Sequence, residues 1–396
     1  MPQRKAQPHI PVEVVEAVID HFQKDKKTLK VCSRVAREWL PRSRYHLLGT
    51  IRVLPGNYRG LLSILNSPRS YFTVYVRSIG IVNPGNKDTS WVNDVMPALA
   101  KHFGSITEIV LGGLSWRQLT EQSTKYLCTA FRKSKSIMLL DCYFVRFSDI
   151  ARLACSSDLA ESIHIVLCKV DSTGGYPSPD LTISPNLRQV NIDTSPPSFV
   201  TWLSSQKPLR LEKLTVDAVT PTNITGMKSI ISHSGSSLKY LRFGLDDDFL
   251  QLETQPHLDL SQNTYLEVFH LTLAFPNPFS IYVGLASTIN LSFLVPLFSS
   301  IFSSSLQELT LRISVGSPDD LKVIDWHAID KLASERPWGR SLKRLHVELT
   351  EMVPGNEPQD FMEEAELIIY RGLNDIAKRG RLNVKYRPMR RQNLFM

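Results

Sequence analysis

Cysteine is scarce in this chain of 396 residues. The five cysteines are odd in number, form no C-x-x-C pair and have no histidine at metal-ligand spacing: Cys32, Cys128, Cys142, Cys155 and Cys168. A secreted disulfide framework needs an even and denser set, and a structural zinc site needs closely spaced ligands. We therefore expect reduced structural thiols, no bound metal, and a cytoplasmic and/or nuclear location.

The motifs of the common catalytic sites are also missing. There is no G-x-S-x-G nucleophile elbow, no P-loop, no H-E-x-x-H pair and no G-x-G-x-x-G loop. Three successive acids, Asp246–Asp248, lack the frame of a calcium-binding loop, so they predict a solvated loop. These absences predict a non-catalytic protein that needs no cofactor.

Long uncharged stretches are absent except for one that includes residues 281–302. These 22 residues could span a bilayer, but six of them are Ser, Thr or Asn, Pro296 lies in the middle, and no Lys or Arg anchors either end. We expect a buried loop and helix there, and no membrane contact. The first residues have no apolar signal region and the last four have no cysteine, so neither a signal peptide nor prenylation is expected.

The body of the chain has no excess of positive charge, although the net charge is +8. Residues 1–52 hold 11 Lys and Arg against 5 Asp and Glu, and residues 378–396 hold 7 against none. The remaining 325 residues hold 28 against 33, so the body is slightly acidic. A uniformly basic nucleic-acid-binding body is therefore disfavoured. Nucleic-acid binding through the two basic ends stays open as an alternative, and it predicts a steep loss of affinity with salt.

What the chain does contain is an internal repeat. The pattern apolar-x-x-apolar-x-apolar recurs ten times, at intervals of 24 to 40 residues. The triplets are Val76/Ile79/Ile81, Ile106/Ile109/Leu111, Ile137/Leu140/Cys142, Ile163/Val166/Cys168, Leu187/Val190/Ile192, Leu211/Leu214/Val216, Leu238/Leu241/Phe243, Leu266/Phe269/Leu271, Leu306/Leu309/Leu311 and Leu342/Leu345/Val347. Any amphipathic strand can match the pattern once, but ten matches in order indicate a repeat array.

Each triplet predicts a short strand with one buried face, and the segment between triplets predicts a return helix or loop. Five return segments are of helix length: 91–103, 122–132, 198–205, 293–303 and 327–336. Consecutive strands then pair in parallel over one continuous core. We therefore predict an α/β fold, an irregular leucine-rich-repeat solenoid with a parallel sheet. A doubly wound sheet is the alternative, but ten strands would make it unusually wide.

The residue between the second and third apolar positions of each triplet is expected to point away from the core. This outward row, together with the residues that follow the triplets, forms the expected binding face of the array. The substrate-binding candidates on this face are Asp141, Tyr143, Asn191, Arg242, His270, Arg312 and His346. The row mixes both charges with neutral residues, so it favours a protein target without identifying it.

Ahead of the repeats the apolar spacing is helical. Pro11 suits a first helical position, and an apolar stripe follows at Val14, Val15, Val18, Ile19 and Phe22. Asp25 can cap a second helix, which Pro41 is expected to end and whose stripe is Leu29, Cys32, Val35, Ala36 and Trp39. A unit of this size has a small core, so apolar residues left at its surface imply a partner.

This run resembles an F-box. The matching residues are Ile10-Pro11, Val14-Val15, Ile19, Phe22, Leu29, Cys32-Ser33, Val35 and Trp39. The following Leu40-Pro41-Arg42-Ser43-Arg44, with His46, is similar to basidiomycete-type fungal F-box proteins that carry irregular leucine-rich repeats. Ile10 stands where the family usually has Leu, and Ala36 stands where a Cys is frequent.

The resemblance implies a substrate-receptor subunit of a Skp–cullin–F-box ubiquitin ligase. The F-box would dock the Skp-family adaptor and through it a cullin, and the repeat array would capture an unknown target protein. The adaptor-binding candidates are Ile10, Pro11, Val14, Val15, Leu29, Cys32 and Val35, each of which is either interface or internal core. A leucine-rich-repeat interaction scaffold that recruits no ligase is the alternative.

The expected organisation has four parts. They are a flexible N-terminal tail at residues 1–8, an F-box-like helical domain at 9–50, an irregular leucine-rich-repeat array at 51–356, and a C-terminal part at 357–396. In the last part, residues 363–378 predict one helix, and the alternation of Leu382, Val384 and Tyr386 predicts a last strand before a basic tail.

Overall fold

The chain forms two compact units. The computed structural model describes residues 10–68, 71–85, 88–130, 132–172, 180–193, 196–206, 209–245, 258–273, 291–315, 317–351 and 358–386. Unit 1 comprises Met1–Ala160 with Lys169–Ser184, and unit 2 comprises Glu161–Cys168 with Pro185–Met396. The predictions made for residues 1–8, Asp246–Asp248, residues 281–290 and the tail from 387 lie outside the described residues.

Unit 1 begins with three helices and continues as alternating strands and helices. Its helices are α1 (Val12–His21), α2 (Lys26–Val35), α3 (Leu40–Leu47), α4 (Tyr58–Leu65), α5 (Trp91–His102), α6 (Glu121–Ala130) and α7 (Phe147–Ala154). Its strands are β1 (Thr50–Val53), β2 (Ser78–Val82), β3 (Glu108–Gly112), β4 (Ser136–Leu140), β5 (Tyr143–Arg146) and β7 (Lys169–Ser172). Strands β1 to β4 pair in parallel in chain order, and β5 pairs with β7 in a separate two-stranded sheet.

Unit 2 is a longer succession of the same kind. Its strands are β6 (Ser162–Val166), β8 (Gln189–Asp193), β9 (Lys213–Val219), β10 (Tyr240–Leu245), β11 (Val268–Leu273), β12 (Glu308–Val315), β13 (Arg344–Glu351) and β14 (Leu382–Tyr386). Its helices are α8 (Pro197–Ser205), α9 (Ile224–Ser234), α10 (Leu294–Ser299), α11 (Trp326–Glu335), α12 (Pro337–Ser341), α13 (Pro358–Gly372) and α14 (Asn374–Lys378). The eight strands pair in parallel in chain order.

The predicted α/β class with a parallel sheet is confirmed. The return helices α5, α6, α8, α10 and α11 match the expected segments within a few residues at each end. The strands of each unit follow chain order without the reversal that defines a doubly wound sheet, so that alternative is wrong. Inward residues align between neighbouring strands: Ile79, Ile109 and Ile137 stand side by side across β2 to β4, and all three are buried.

The three N-terminal helices pack around a core of their own. Val15 and Ile19 of α1 meet Leu29 and Cys32 of α2. Three partly buried side chains pack against this centre: Phe22, Trp39 and Leu47. The alternation of buried and exposed positions along α1 and α2 is that of an amphipathic helix with a narrow buried stripe.

Local sequence sets the ends of these helices. The Asp25 carboxylate caps α2, because it accepts hydrogen bonds from the backbone N–H of Lys27 at 2.9 Å and of Thr28 at 3.2 Å. The prediction that Pro41 ends the second helix is wrong: α2 ends at Val35, and Pro41 lies in the first turn of α3. A proline suits that position, because the N–H that it lacks would have no partner in a first turn.

Two predicted triplets are wrong by three residues. The pairing aligns Ile137 with Ile109 and Leu139 with Leu111, so the inward pair of β4 is Ile137 and Leu139 rather than Leu140 and Cys142. In β6 the inward pair is likewise Ile163 and Ile165, which align with Val190 and Ile192, rather than Val166 and Cys168.

A left-handed turn follows each of the strands β3, β4 and β6. Gly113, Asp141 and Leu167 have φ angles of 63°, 50° and 55°, in the region that favours glycine. In unit 1 the turn redirects the chain into the second sheet, where Tyr143 N–H donates to the carbonyl of Leu114 at 2.8 Å. Residues 141 to 143 therefore leave the main sheet instead of continuing its outward row.

The C-terminal helix predicted at 363–378 is two helices, α13 and α14, separated at Leu373. The buried Asp330 of α11 explains the break. Its carboxylate accepts hydrogen bonds from the backbone N–H of Asp375 at 2.9 Å and of Ile376 at 3.0 Å, at the beginning of α14. These N–H groups would have no intrahelical partner, so Asp330 satisfies them from a neighbouring helix.

The five cysteines are free thiols. Cys32, Cys142 and Cys168 are buried, and Cys128 and Cys155 are half-buried. Burial raises the pKa of the Cys128 thiol to about 11 and that of the Cys155 thiol to about 12. These side chains pack as small apolar groups.

Two negative findings apply to the described residues. None of their helices combines the length and the apolar character needed to cross a membrane. No group of three or more His, Cys, Asp or Glu side chains is arranged there to hold a metal ion.

Candidate interaction surfaces

The N-terminal helices expose apolar side chains. Val14 and Val18 are exposed along α1, Val31 and Val35 are exposed along α2, and Ile10 is exposed two residues before α1 begins. Within each helix the two residues are four positions apart, so they lie on one face of it. Val12 is exposed as well, and we call these six residues the apolar rows. Clustered exposed apolar side chains mark interaction sites more often than isolated ones do.

The structure divides the predicted adaptor-binding residues into two groups. Ile10, Pro11, Val14 and Val35 are exposed, whereas Val15, Leu29 and Cys32 are buried in the core of the three helices. Of the two alternatives that the sequence left open for the last three, the structure favours internal core, because their surface is already covered. Sequence reasoning misses Val12, Val18 and Val31 as surface residues, although Val18 and Val31 stand four residues from Val14 and Val35.

A cluster of three side chains, Asp20, Arg42 and His46, joins α1 to α3. The Asp20 carboxylate accepts two hydrogen bonds from the Arg42 guanidinium, both at 2.5 Å, and its Oδ1 lies 2.7 Å from Nε2 of His46. Arg42 and then His46 lower the pKa of the Asp20 carboxyl from 3.8 to about 2. The cluster joins residues 22 and 26 positions apart in the chain, so it fixes the helix that presents Val14 and Val18.

In unit 2 the outward side chains of the strands form a second surface. Strand pairing aligns one residue from each strand in a single row: His164, Asn191, Thr215, Arg242, His270, Thr310, His346 and Asn383. Four predicted candidates lie in this row: Asn191, Arg242, His270 and His346. Arg312 lies two residues beyond it on β12. We call this row, with Asp217, Tyr240, Glu308, Arg312 and Glu348, the polar face.

The arginines of the polar face are each paired with a carboxylate from a neighbouring strand. Arg242 Nη2 lies 3.1 Å from Asp217 Oδ1. Arg312 donates through Nη2 and Nε to Glu348 Oε2, at 2.9 Å and 3.0 Å. Burial raises the pKa of the Asp217 carboxyl, and Arg242 opposes that shift. Both guanidinium groups are therefore held in place before any partner arrives.

The middle of the polar face is a chain of three side chains. Tyr240 Oη lies 3.3 Å from His270 Nδ1, and His270 Nε2 lies 3.1 Å from Glu308 Oε1. Burial lowers the pKa of His270, whereas its hydrogen bond to Glu308 raises it. The Lys213 ammonium lies 4.7 Å from the centre of the Tyr240 ring, which is a cation–π distance.

Two polar atoms of the same row have no hydrogen-bond partner among the described residues. They are Asn191 Oδ1 on β8 and His346 Nδ1 on β13, and both are buried. The rest of the polar face pairs its charges within itself. Such a surface selects a target by shape and by hydrogen-bond geometry rather than by net charge.

Asp141 does not lie on the outward row, and Tyr143 does not follow it on the same sheet, as the sequence predicted for the binding face. The outward residue of β4 is Met138, which aligns with Val110 of β3. Asp141 and Tyr143 instead line a 310 Å³ cavity of unit 1, with Cys142, Lys169 and residues 113–115. The cavity lies where the left-handed turn separates the two sheets of that unit.

A second ion cluster holds one wall of this cavity. The Tyr143 hydroxyl donates to Asp171 Oδ1, and Arg117 Nη2 lies 2.7 Å from Asp171 Oδ2. The Arg117 guanidinium also lies 5.7 Å from the centre of the Tyr143 ring. The ring is thereby fixed, but the cavity itself carries one anion and one cation, Asp141 and Lys169, and so favours no ligand charge.

The outward face of β2 to β4 is mostly apolar, unlike the polar face of unit 2. Its aligned residues are Gly80, Val110 and Met138, followed by Val82, Gly112 and Leu140.

Comparisons with known proteins do not assign this chain to a family. No family model matches it, and no curated protein matches it. Among solved structures, the crystal structure of the Rad7 and Elc1 complex in yeast is similar to it at 11% sequence identity and a TM-score of 0.36, over 88% of this chain and 91% of that chain. A similarity at that TM-score supports no conclusion about the fold or the function of this chain.

Proposed function

We propose that this chain is a substrate-receptor subunit of a Skp–cullin–F-box ubiquitin ligase. The three N-terminal helices act as the F-box that docks a Skp-family adaptor. The strands and helices that follow act as an irregular leucine-rich-repeat array that captures the target protein. The chain itself is non-catalytic, needs no cofactor, and works in the cytoplasm and/or the nucleus.

The apolar rows of α1 and α2 carry this proposal. Six apolar side chains remain exposed on a unit of only three short helices, although Val15, Ile19, Leu29 and Cys32 already fill its core. Covering a half-exposed valine stabilises a complex by about 1 kcal/mol. The rows can therefore offset a large part of the entropy lost on association.

The division between buried and exposed residues supports the resemblance to an F-box. The buried members of the matching run hold the three helices together, and the exposed members are left for a partner. Helices that lay an apolar row into a groove are a common recognition mode. The polar face of unit 2 is the surface that we assign to target capture, because its paired charges are fixed and Arg242, His270 and His346 are half-exposed.

The test is copurification of the full chain with a Skp-family adaptor. The variant Val14→Asp with Val18→Asp puts two carboxylates into the α1 row without touching the core, and each buried carboxylate would cost several kcal/mol. The matched control is Val74→Asp with Val323→Asp, two exposed valines outside the three helices. Thermal unfolding of each variant checks that the chain still folds.

We expect the wild type and the control to copurify with the adaptor and the α1 variant to lose it. If the wild type does not copurify, the ligase proposal fails and the interaction scaffold without ligase recruitment replaces it. If the α1 variant copurifies like the wild type, the adaptor binds elsewhere and the apolar rows are not its site.

A further inference from the structure

The cationic side chains of α2 are spaced in a way that destabilises the helix. Lys26, Lys30 and Arg34 stand four residues apart and are all exposed. Like charges at this spacing repel each other along one face of a helix. Helix α2 contains no Asp or Glu, so nothing within it relieves the repulsion. We call these three residues the basic ridge.

The helix dipole adds a second unfavourable contribution. Lys26 and Lys27 occupy the first turn of α2, where the positive end of the dipole disfavours cations. The Asp25 carboxylate at the cap is engaged with the backbone of Lys27 and Thr28. No ion pair joins Lys26, Lys27, Lys30 or Arg34 to any carboxylate in the part of the chain that the structure describes.

The basic ridge adjoins one of the apolar rows. Lys30 is three residues from Lys27, and Arg34 is three residues from Val31. The ridge is therefore a neighbour, on the helix surface, of the face that carries Lys27 and the exposed Val31 and Val35. Both lie away from the buried Leu29 and Cys32. A partner that covers Val31 and Val35 therefore also meets the ridge.

We propose that the partner of α2 is a protein surface with an apolar groove bordered by an acidic strip. The groove receives Val31 and Val35, and the acidic strip lies against Lys26, Lys30 and Arg34. Opposite charges at the border of an interface accelerate association and orient the partners more than they slow dissociation. A nucleic acid fits less well, because the exposed valines beside the ridge match no phosphate. The inference rests on the proposed function, whose Skp-family adaptor would carry the strip.

The experiment measures association rate and affinity of the full chain for a purified Skp-family adaptor at low and at high salt. The variant Lys26→Glu, Lys30→Glu, Arg34→Glu reverses the ridge. The control Lys101→Glu, Lys125→Glu, Lys133→Glu makes the same change in net charge at exposed lysines elsewhere in unit 1. Glutamate at position 26 suits the first turn of α2, whereas glutamate at position 34 opposes the helix dipole in the last turn, so thermal unfolding of the variant checks that α2 still folds.

We expect the ridge variant to lose about tenfold or more in association rate at low salt, and the difference to shrink at high salt. The control should follow the wild type. If the wild type binds the adaptor and the ridge variant binds equally fast, the acidic strip is refuted while the proposed function stands. If the wild type does not bind the adaptor, the proposed function fails and the inference falls with it. Retardation of duplex DNA that the ridge variant abolishes would show a nucleic-acid partner and overturn the inference.

Discussion

In helix α1, exposed and buried β-branched residues stand at adjacent positions. This arrangement permits a direct test of which of them stabilise the three-helix core. Val14 is 51% exposed and Val15 is 4% exposed. Val18 is 43% exposed, and Ile19 is fully buried. Two double variants therefore make almost the same chemical change on opposite sides of one helix: Val14→Ala with Val18→Ala, and Val15→Ala with Ile19→Ala.

The buried pair should be the more costly by several kcal/mol. Truncation to Ala removes two carbons from Val15 and three from Ile19, which at about 0.8 kcal/mol each amounts to about 4 kcal/mol before any cavity is counted. The exposed pair loses little surface contact within the chain, so its effect on stability should stay within about 1 kcal/mol. The exposed pair should have the larger effect on adaptor affinity, because it removes two of the four exposed apolar side chains at α1: Ile10, Val12, Val14 and Val18.

Hydrogen exchange of the backbone amides of α1 and α2 is the suitable assay. A chain with two compact units need not unfold in one step, so a single unfolding temperature would mix the units. Exchange reports the opening free energy of the three helices alone. Equal loss of protection in the two variants would refute the division of α1 into core and surface, and with it the site that we assign to the adaptor.

Three further predictions concern stability. Replacement of Gly339 by Ala would place a Cβ 1.6 Å from the carbonyl oxygen of Ala333, so it should destabilise unit 2 by about 3 kcal/mol, whereas Gly56→Ala, with nothing within 4 Å, should have little effect in the same denaturant titration. Replacement of Asp330 by Ala leaves the N–H groups of Asp375 and Ile376 without an acceptor and should destabilise α14 by about 2 kcal/mol, with Asn intermediate; equal exchange rates in α14 for wild type and variant would contradict this. The lowered pKa of Asp20 means that its contribution is present above pH 3.8 and is lost as pH falls toward about 2. Because the carboxylate is more than one third exposed, the loss should be only about 0.5 to 1 kcal/mol, and Asp20→Asn should abolish the difference in α1 protection across that pH range.

The repeat pattern could be predicted from the sequence because it rests on alternation, which depends on neighbours in the chain. The predicted register was wrong in β4 and β6, where the repeat pattern could be matched in two ways that differ by three residues. The first position of the repeat, two residues before β4 and β6 begin, is occupied by Ser134 and Ala160, which are small and fully buried but do not match the large apolar residue of the pattern. The buried Cys142 and Cys168 after the strands completed a false triplet in each case.

The candidate surfaces were predictable only in part for a related reason. Helical spacing marks α1 and α2 as amphipathic, but it does not show which of two adjacent valines faces the core. That orientation depends on packing against Trp39 and α3, which are distant in the sequence. The pairing of Arg242 with Asp217 and of Arg312 with Glu348 depends on the alignment of strands about 30 residues apart, as the contacts within the polar face do generally. Once the register is known, these pairs follow from the sequence.

The burial of Cys32, Cys142 and Cys168 makes these thiols natural probes for local motion. A thiol reagent can modify a buried cysteine only when the segment around it opens, so the rate of modification measures the opening free energy of that segment. Cys32 would report on the N-terminal helices and Cys142 on the left-handed turn after β4. The raised pKa values of Cys128 and Cys155 leave little thiolate at neutral pH, which keeps their background reaction slow. Labelling in the presence and absence of the adaptor would thus map which segments a bound partner holds closed, without the introduction of any foreign label site.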